Sequence, residues 1–267
     1  GTPVDLTEGT LPPPGNRTIG AATSPLGQFG YSGAQDNTPS EYQLDSANNV
    51  TGFAGTVMLR AAPEAATFEI GTATQAETSF DSVTMLRWGR WAGGTARITL
   101  ADGTDASQDL SMQSLHWISS PQSAPPVIPL FGAASYSLVG ASSPTDNAGN
   151  VGVLGSAALF ADFTNMMVTS TLTLDINMST WIASGTGDIG TSPQSMLADH
   201  LFSGFYNSIT INGVAGGTGS FSGFFSEPGP ATADPAFPGG AGLTFFLQDA
   251  SSGTQVSGAV ALEGDGG

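Results

Sequence analysis

The chain has 267 residues, with 22 acidic side chains against five arginines, no lysine and no cysteine, and a formal charge of −17. That balance opposes nucleic acid and anionic membrane surfaces, and the missing thiols exclude a disulfide scaffold, a thiolate zinc site and a cysteine nucleophile. A mean hydropathy of +0.06 with 37 glycines and 17 prolines describes a folding chain of many short strands and tight turns, with length for one large all-β domain or two small ones.

Residues 1–50 are rich in Pro, Gly, Ser, Asn and Asp, with PPPG at 12–15 and DSANN at 45–49, and are expected to form a linker or partly ordered extended segment with one or two strands. The opening GTPVDLTEGTLPPPGNRT reads as an internal boundary, and no run of about 18 apolar residues is long enough for a transmembrane helix. From Thr51 the texture changes to short alternating segments punctuated by Gly, Asn-Gly or Asp-Gly, which predicts a single antiparallel β domain over 51–267. Candidate strands include 51–60, 66–70, 82–91, 95–101, 109–119, 135–140, 155–163, 167–177, 179–185, 208–213, 219–225, 242–249 and 256–263.

In MVTSTLTLDIN, Val168, Ser170, Leu172, Leu174 and Ile176 alternate with Thr169, Thr171, Thr173, Asp175 and Asn177, the period of a strand with one buried face. One short helix is expected near 193–202, where Ser192 caps, Pro193 takes the first helical position and QSMLADHLF follows. Asp102-Gly103 and Asn212-Gly213 fit hairpin turns. The Pro-rich stretches 119–134 and 226–241 read as long displayed loops.

RWGRW at 87–91 holds two of the five arginines and two of the four tryptophans. On a strand, Trp88 and Arg90 face one side and Arg87, Gly89 and Trp91 the other, so at most one pair points into a barrel. The favoured reading is an Arg-Trp stack that plugs one end of the barrel, leaving the other tryptophan free to bind. The alternative is a guanidinium-indole pair holding an anionic or aromatic ligand at the barrel mouth, with His116 and Trp117 beside it.

His116 and His200, with the four tyrosines, are the only material for haem or metal ligation by imidazole and phenolate, and two isolated histidines fall short of a metal site. Asp102, Asp105 and Asp109 in DGTDASQD make a weak calcium candidate without EF-hand spacing, and a solvated acidic hairpin is the favoured reading. GTGDIG at 185–190 matches GxGxxG but lacks the alternating strands and helices of a dinucleotide fold, and reads as a turn. GSFSG at 219–223 misses the GxSxG register, and no carboxylate pair is singled out by spacing, so no catalytic motif is found and no cofactor is called for.

The order YSLVG, SPTDNAG, GVLGSAALFADF, a long Thr-rich strand, TWIASGTG, GSFSGFFSEPGPA, GGAGLTFFLQD and VSGAVAL resembles the barrel domain of transferrin-binding-protein-like surface proteins. It is also similar to the C-terminal barrel of secreted bacterial proteins with an FecR-type domain, where a WGRW-GG strand and a later His-aromatic strand precede YSLVG, as Trp88 to Gly94 and His116-Trp117 do here. The resemblance covers roughly 80–267 and implies an antiparallel up-and-down β-barrel of about eight strands with additional N-terminal strands, on a Gram-negative cell surface or secreted from it. The resemblance does not extend to an expectation of transferrin binding.

The function expected is a non-enzymatic extracellular module for binding, adhesion or display, with a protein or glycan partner, no nucleic acid and no membrane insertion. The alternatives are a carrier of haem or another apolar anion at the barrel mouth, built on Arg87, Trp88, Arg90, Trp91, His116 and Trp117, and a glycan-binding or glycan-active protein whose tryptophans stack on sugars.

Overall fold

The computed structural model describes residues 17–23, 31–32, 42–57, 64–100, 102–122, 126–190, 200–226 and 237–265. The first half supplies β1 (Arg17–Thr23), β2 (Tyr31–Ser32), β3 (Tyr42–Leu44), β4 (Val50–Val57), β5 (Glu64–Glu69), β6 (Thr74–Phe80), β7 (Arg87–Ala92), β8 (Thr95–Leu100), β9 (Asp105–Asp109) and β10 (Ser114–Gln122). These form two five-stranded antiparallel sheets, ordered β2-β1-β10-β7-β6 and β3-β4-β5-β8-β9. The chain passes from the first sheet to the second between β7 and β8 through Gly93 and Gly94, both with positive φ (64° and 66°).

The second half supplies β11 (Ala133–Ala141), β12 (Thr145–Asp146), β13 (Val153–Asp162), β14 (Met167–Ile176), β15 (Ser179–Ile189), β16 (Leu201–Ile211), β17 (Val214–Ala215), β18 (Gly217–Ser226), β19 (Gly240–Asp249) and β20 (Gln255–Gly264). Eight of them, β11-β13-β14-β15-β16-β18-β19-β20, pair antiparallel in sequence order, and β20 pairs back onto β11 to close an up-and-down barrel. The short β12 and β17 add to β20 and β16.

The alternation read from the sequence of β14 holds residue by residue: Val168, Ser170, Leu172, Leu174 and Ile176 are buried, and their neighbours are exposed or half-buried. Inward-facing aromatics fill the lumen. Phe225 meets Phe202, Phe163 and Tyr136 at centroid distances of 5.0, 5.5 and 5.6 Å, and Tyr206 meets Phe221 at 5.1 Å. Trp181, Phe245, Leu243 and Leu247 complete this core. An eight-stranded barrel has an interior about wide enough for its own side chains, and here they occupy it.

The first sheet lies between the barrel wall and the second sheet, so its central strands are covered on both faces. Toward the second sheet, Trp91, Leu115 and Trp117 join Phe53, Phe68 and Ile98, with Phe53 and Phe68 stacked at 4.8 Å. Toward the barrel, Leu86, Trp88 and Ile118 meet Leu201, Phe224, Ala259 and Ala261. Small residues on the barrel's outer face let the sheet approach closely. This explains why every residue from Ser114 to Ser120 of β10 is buried.

Two sequence expectations are revised, on where the barrel begins and on the helix, and the additional N-terminal strands are present. The barrel begins at Ala133 rather than near 80: strands 87–122 belong to the two flanking sheets, since a period of two marks a strand but not its sheet. Within 1–50, β1 pairs along its whole length with β10 and β3 pairs with β4. Of the helix expected near 193–202, residues 193–199 lie outside the described residues, and Leu201 and Phe202 open β16, one facing the first sheet and the other the lumen. No helix of the described residues is long and apolar enough to cross a membrane.

Candidate functional site

The two faces of RWGRW separate as strand geometry requires, but both are covered. Trp88 is buried against the barrel and Trp91 against the second sheet, so neither is free for a ligand and neither plugs the lumen. Trp91 donates its indole N–H to the Val50 carbonyl at 3.0 Å, and Trp117 donates to Gln75 Oε1 at 3.3 Å. Glycine at 89 is demanded by Trp117, since a Cβ there would lie 2.4 Å from its ring. Arg87 stacks over Phe80, 4.2 Å from the ring centroid.

Arg90 and His116 sit opposite each other on β7 and β10, on the face toward the barrel. Arg90 donates to Glu77 at 3.4 Å and to Ser114 at 3.1 Å. The Glu77 carboxylate in turn accepts from the Ser143 backbone N–H, at 3.1 and 3.0 Å to its two oxygens, and from the Ser143 hydroxyl at 3.3 Å. His116 is fully buried, with Ser142 Oγ 2.8 Å from Nδ1 and Thr145 Oγ1 2.8 Å from Nε2. Burial, reinforced by the charge of Arg90, pulls its pKa down from 6.5 to about 3, so the ring is neutral and donates to one hydroxyl while accepting from the other.

Arg87, Trp91 and Trp117 do not share a site with the rest, but Trp88, Arg90 through Glu77, and His116 converge on the stretch from Gly140 of β11 to Thr145 of β12. They form a polar latch between the first sheet and the barrel rather than an open mouth. The sequence shows the residue types, but not that a barrel segment supplies the hydroxyls that neutral His116 requires.

Asp102, Asp105 and Asp109 do not converge. Asp105 takes two hydrogen bonds from Arg97 (3.1 and 2.9 Å) and one from Thr99, and Arg97 holds its carboxyl below the ordinary range. Asp102 accepts from the Thr104 N–H and Asp109 from the Ser111 N–H, both at 2.8 Å. Among the described residues no group of three His, Cys, Asp or Glu is placed to hold a metal ion. His200 is buried just before β16, its carbonyl accepting from the Phe225 N–H at 2.8 Å. GTGDIG forms the end of β15 and the following turn, and GSFSG lies within β18.

Exposed apolar side chains occur at many places on the described surface, and two of them adjoin features noted above or a hollow. Val127, Leu130 and Phe131 stand out in the segment leading into β11, inside the first stretch expected to form a displayed loop. Residues 227–236 of the second stretch lie outside the described residues. On the outer wall of β14, β15, β16 and β18, a shallow hollow of about 320 Å³ opens beside Phe205, which is 71% exposed. Sequence reasoning passed over Phe205 because FSGFYNS alternates imperfectly. Phe202 and Tyr206 face the lumen in strict alternation, so Phe205 between them falls outside, and the bulge at Asn207 then shifts the inward positions to Ile209.

No protein-family model matches the chain, and no curated protein matches it. Among solved structures, it is similar to a double mutant of the vaccine antigen transferrin binding protein B from Haemophilus parasuis Hp5, at 11% identity and a TM-score of 0.42, over 93% of this chain and 44% of that one. Intact Ap-TbpB, with its N and C lobes, is similar at 12% identity and a TM-score of 0.40, over 92% of this chain and 46% of the other. A surface lipoprotein is similar at 9% identity and a TM-score of 0.34, over 72% and 81%. The chain thus spans less than half the length of the two transferrin binding protein B chains.

Proposed function

We propose that this chain is a non-enzymatic extracellular binding and display module, at the outer surface of a Gram-negative bacterium or secreted from it, and that its partner is a protein. One observation carries the reading: the side chains suited to chemistry near RWGRW are used inside the fold, and aromatic residues fill the lumen. Small-ligand sites are mostly concave and apolar with a few convergent polar groups; the lumen is filled by side chains, and a hollow of about 340 Å³ lies beside the latch, lined by Leu138, Gly140, Ser142, Ser143 and Val153 among others. Recognition is left to the outer surface, where Val127, Leu130, Phe131 and Phe205 are exposed on a rigid scaffold.

Two measurements test this reading. Antibody raised against the purified chain is expected to label intact cells of the source bacterium, and labelling only after permeabilisation would overturn surface display. Haemin added to the purified protein is expected to give no saturable Soret shift. A saturable shift would replace the display reading with the carrier reading.

A further inference from the structure

The hollow on the outer wall of the barrel is framed by Met167, Thr186, Asp188, Ser203, Phe205 and Ser220. Its volume of about 320 Å³ is at the low end of the 300–1,000 Å³ range for small-molecule sites, enough for one side chain or ring. Cross-strand register sets the arrangement. Met167 pairs with Asp188 and Asp188 with Ser203, while one step along the wall Thr186 pairs with Phe205 and Phe205 with Ser220. Asp188 and Phe205 are therefore diagonal neighbours on one face, a separation of roughly 7–8 Å that a long side chain bridges. Asp188, Thr186 and Phe205 are exposed, and Met167 is 44% exposed, so the hollow presents a carboxylate, an aromatic face, a thioether and hydroxyls to solvent.

The charge of the chain selects the ligand. Every one of the five arginines lies at or before residue 97, so the barrel carries no Lys or Arg, while Asp146, Asp162, Asp175, Asp188, Asp249 and Glu263 all lie on it. An anionic group has nothing to pair with here, whereas a cation is drawn in by the field of the whole barrel.

We propose that this hollow receives an arginine or lysine side chain of a basic partner protein, its cationic head lying on the Phe205 ring and paired with Asp188, with the hydroxyls of Thr186, Ser203 and Ser220 accepting its remaining N–H groups. A cation within about 6 Å of an aromatic centroid is attracted by the ring quadrupole, and a neighbouring carboxylate adds a charge-assisted hydrogen bond. The assignment rests on the binding-module reading above and specifies where on the surface binding occurs and what kind of partner fits.

The test uses the full chain, isotopically labelled, with acetyl-Gly-Arg-Gly-amide as probe and its citrulline counterpart as the uncharged control. Saturable amide shifts confined to residues 186–188 and 203–205 are expected with the arginine peptide and not with citrulline. Phe205→Ala and Asp188→Asn should each weaken binding about tenfold. Asp249→Asn, an equal change of charge elsewhere on the barrel, should leave it unchanged. Three outcomes overturn the proposal: equal weakening by Asp249→Asn, which reduces the effect to diffuse attraction; equal binding of the citrulline peptide; or saturable binding of a neutral oligosaccharide in the same hollow. Each leaves the surface-labelling and haemin results intact, so failure of the hollow is distinguishable from failure of the module reading.

Discussion

The indole of Trp88 lies directly over Gly140: a Cβ added at residue 140 would come within 2.1 Å of the ring. This contact joins the first sheet to the barrel, since Trp88 stands on β7 and Gly140 on β11. Gly140 is not among the positive-φ glycines, so its requirement is for space rather than for a left-handed backbone.

Gly140→Ala is accordingly expected to destabilise the protein by about 1–3 kcal/mol, the usual cost of overpacking a close contact. Urea unfolding followed by tryptophan fluorescence reads both the loss of stability and any change around Trp88. Stability equal to that of the parent chain would show that the sheet does not dock as described.

Stability should fall on acidification through His116. Its folded pKa of about 3 lies below the unfolded value near 6.5, so the unfolded chain takes up the proton first. The contribution is complete above about pH 6.5 and declines by about 1.4 kcal/mol per pH unit until the folded pKa is reached. Denaturant titrations at pH 7.5, 5.5 and 4.5 should show a loss of about 1.4 and then about 2.7 kcal/mol. His116→Gln should be less stable at pH 7.5 but lack most of this decline, and an undiminished decline would assign it to another group. The carboxylates held low by local hydrogen bonds, such as Asp105, Asp109 and Asp249, titrate below this window.

Glu77 ties the Ser143 N–H to Arg90 across the same joint. Glu77→Ala should cost about 1–2 kcal/mol, because it leaves a partly buried N–H and guanidinium less well satisfied. Glu77→Gln should cost less, since its amide oxygen still accepts from Ser143. Chemical denaturation of both variants checks the order, and equal losses would locate the stabilisation in the charge rather than in the Ser143 contact.

The β14–β15 turn is strained. Asn177 and Met178 both have positive φ (47° and 61°), and the matching turn after β16 uses Asn212 and Gly213 (51° and 79°). Positive φ at both central residues is the type I′ pattern, which favours Asn-Gly. Left-handed backbone costs an L-residue about 1–2 kcal/mol, and Met178 is 98% exposed, so little packing offsets it. Met178→Gly should therefore raise stability by about 1 kcal/mol, measured as a higher Tm. An unchanged or lower Tm would mean that Met178 makes a stabilising contact absent here.

Much of the fold was legible in the residues themselves. Period-two alternation in β14, turn dipeptides at 102–103 and 212–213, and an excess of glycine indicate an antiparallel all-β chain, and the sequence shows no Lys or Arg after residue 97, though only the barrel's start at Ala133 makes the barrel free of them. The strand geometry of RWGRW also follows from the sequence, since Trp88 and Trp91 do face opposite sides. Tertiary structure decided what covers each face. Alternation tells which side chains share a side of a strand, but not whether that side meets a lumen, another sheet or water. That is why the expectation of one buried and one free tryptophan gave way to two buried ones. His116 could be read as a ligand only until Ser142 and Thr145, from a distant part of the chain, were seen to take both ring nitrogens. The Asp188–Phe205 pair was illegible for the same reason: cross-strand register places these residues side by side, and register is not encoded within any one strand.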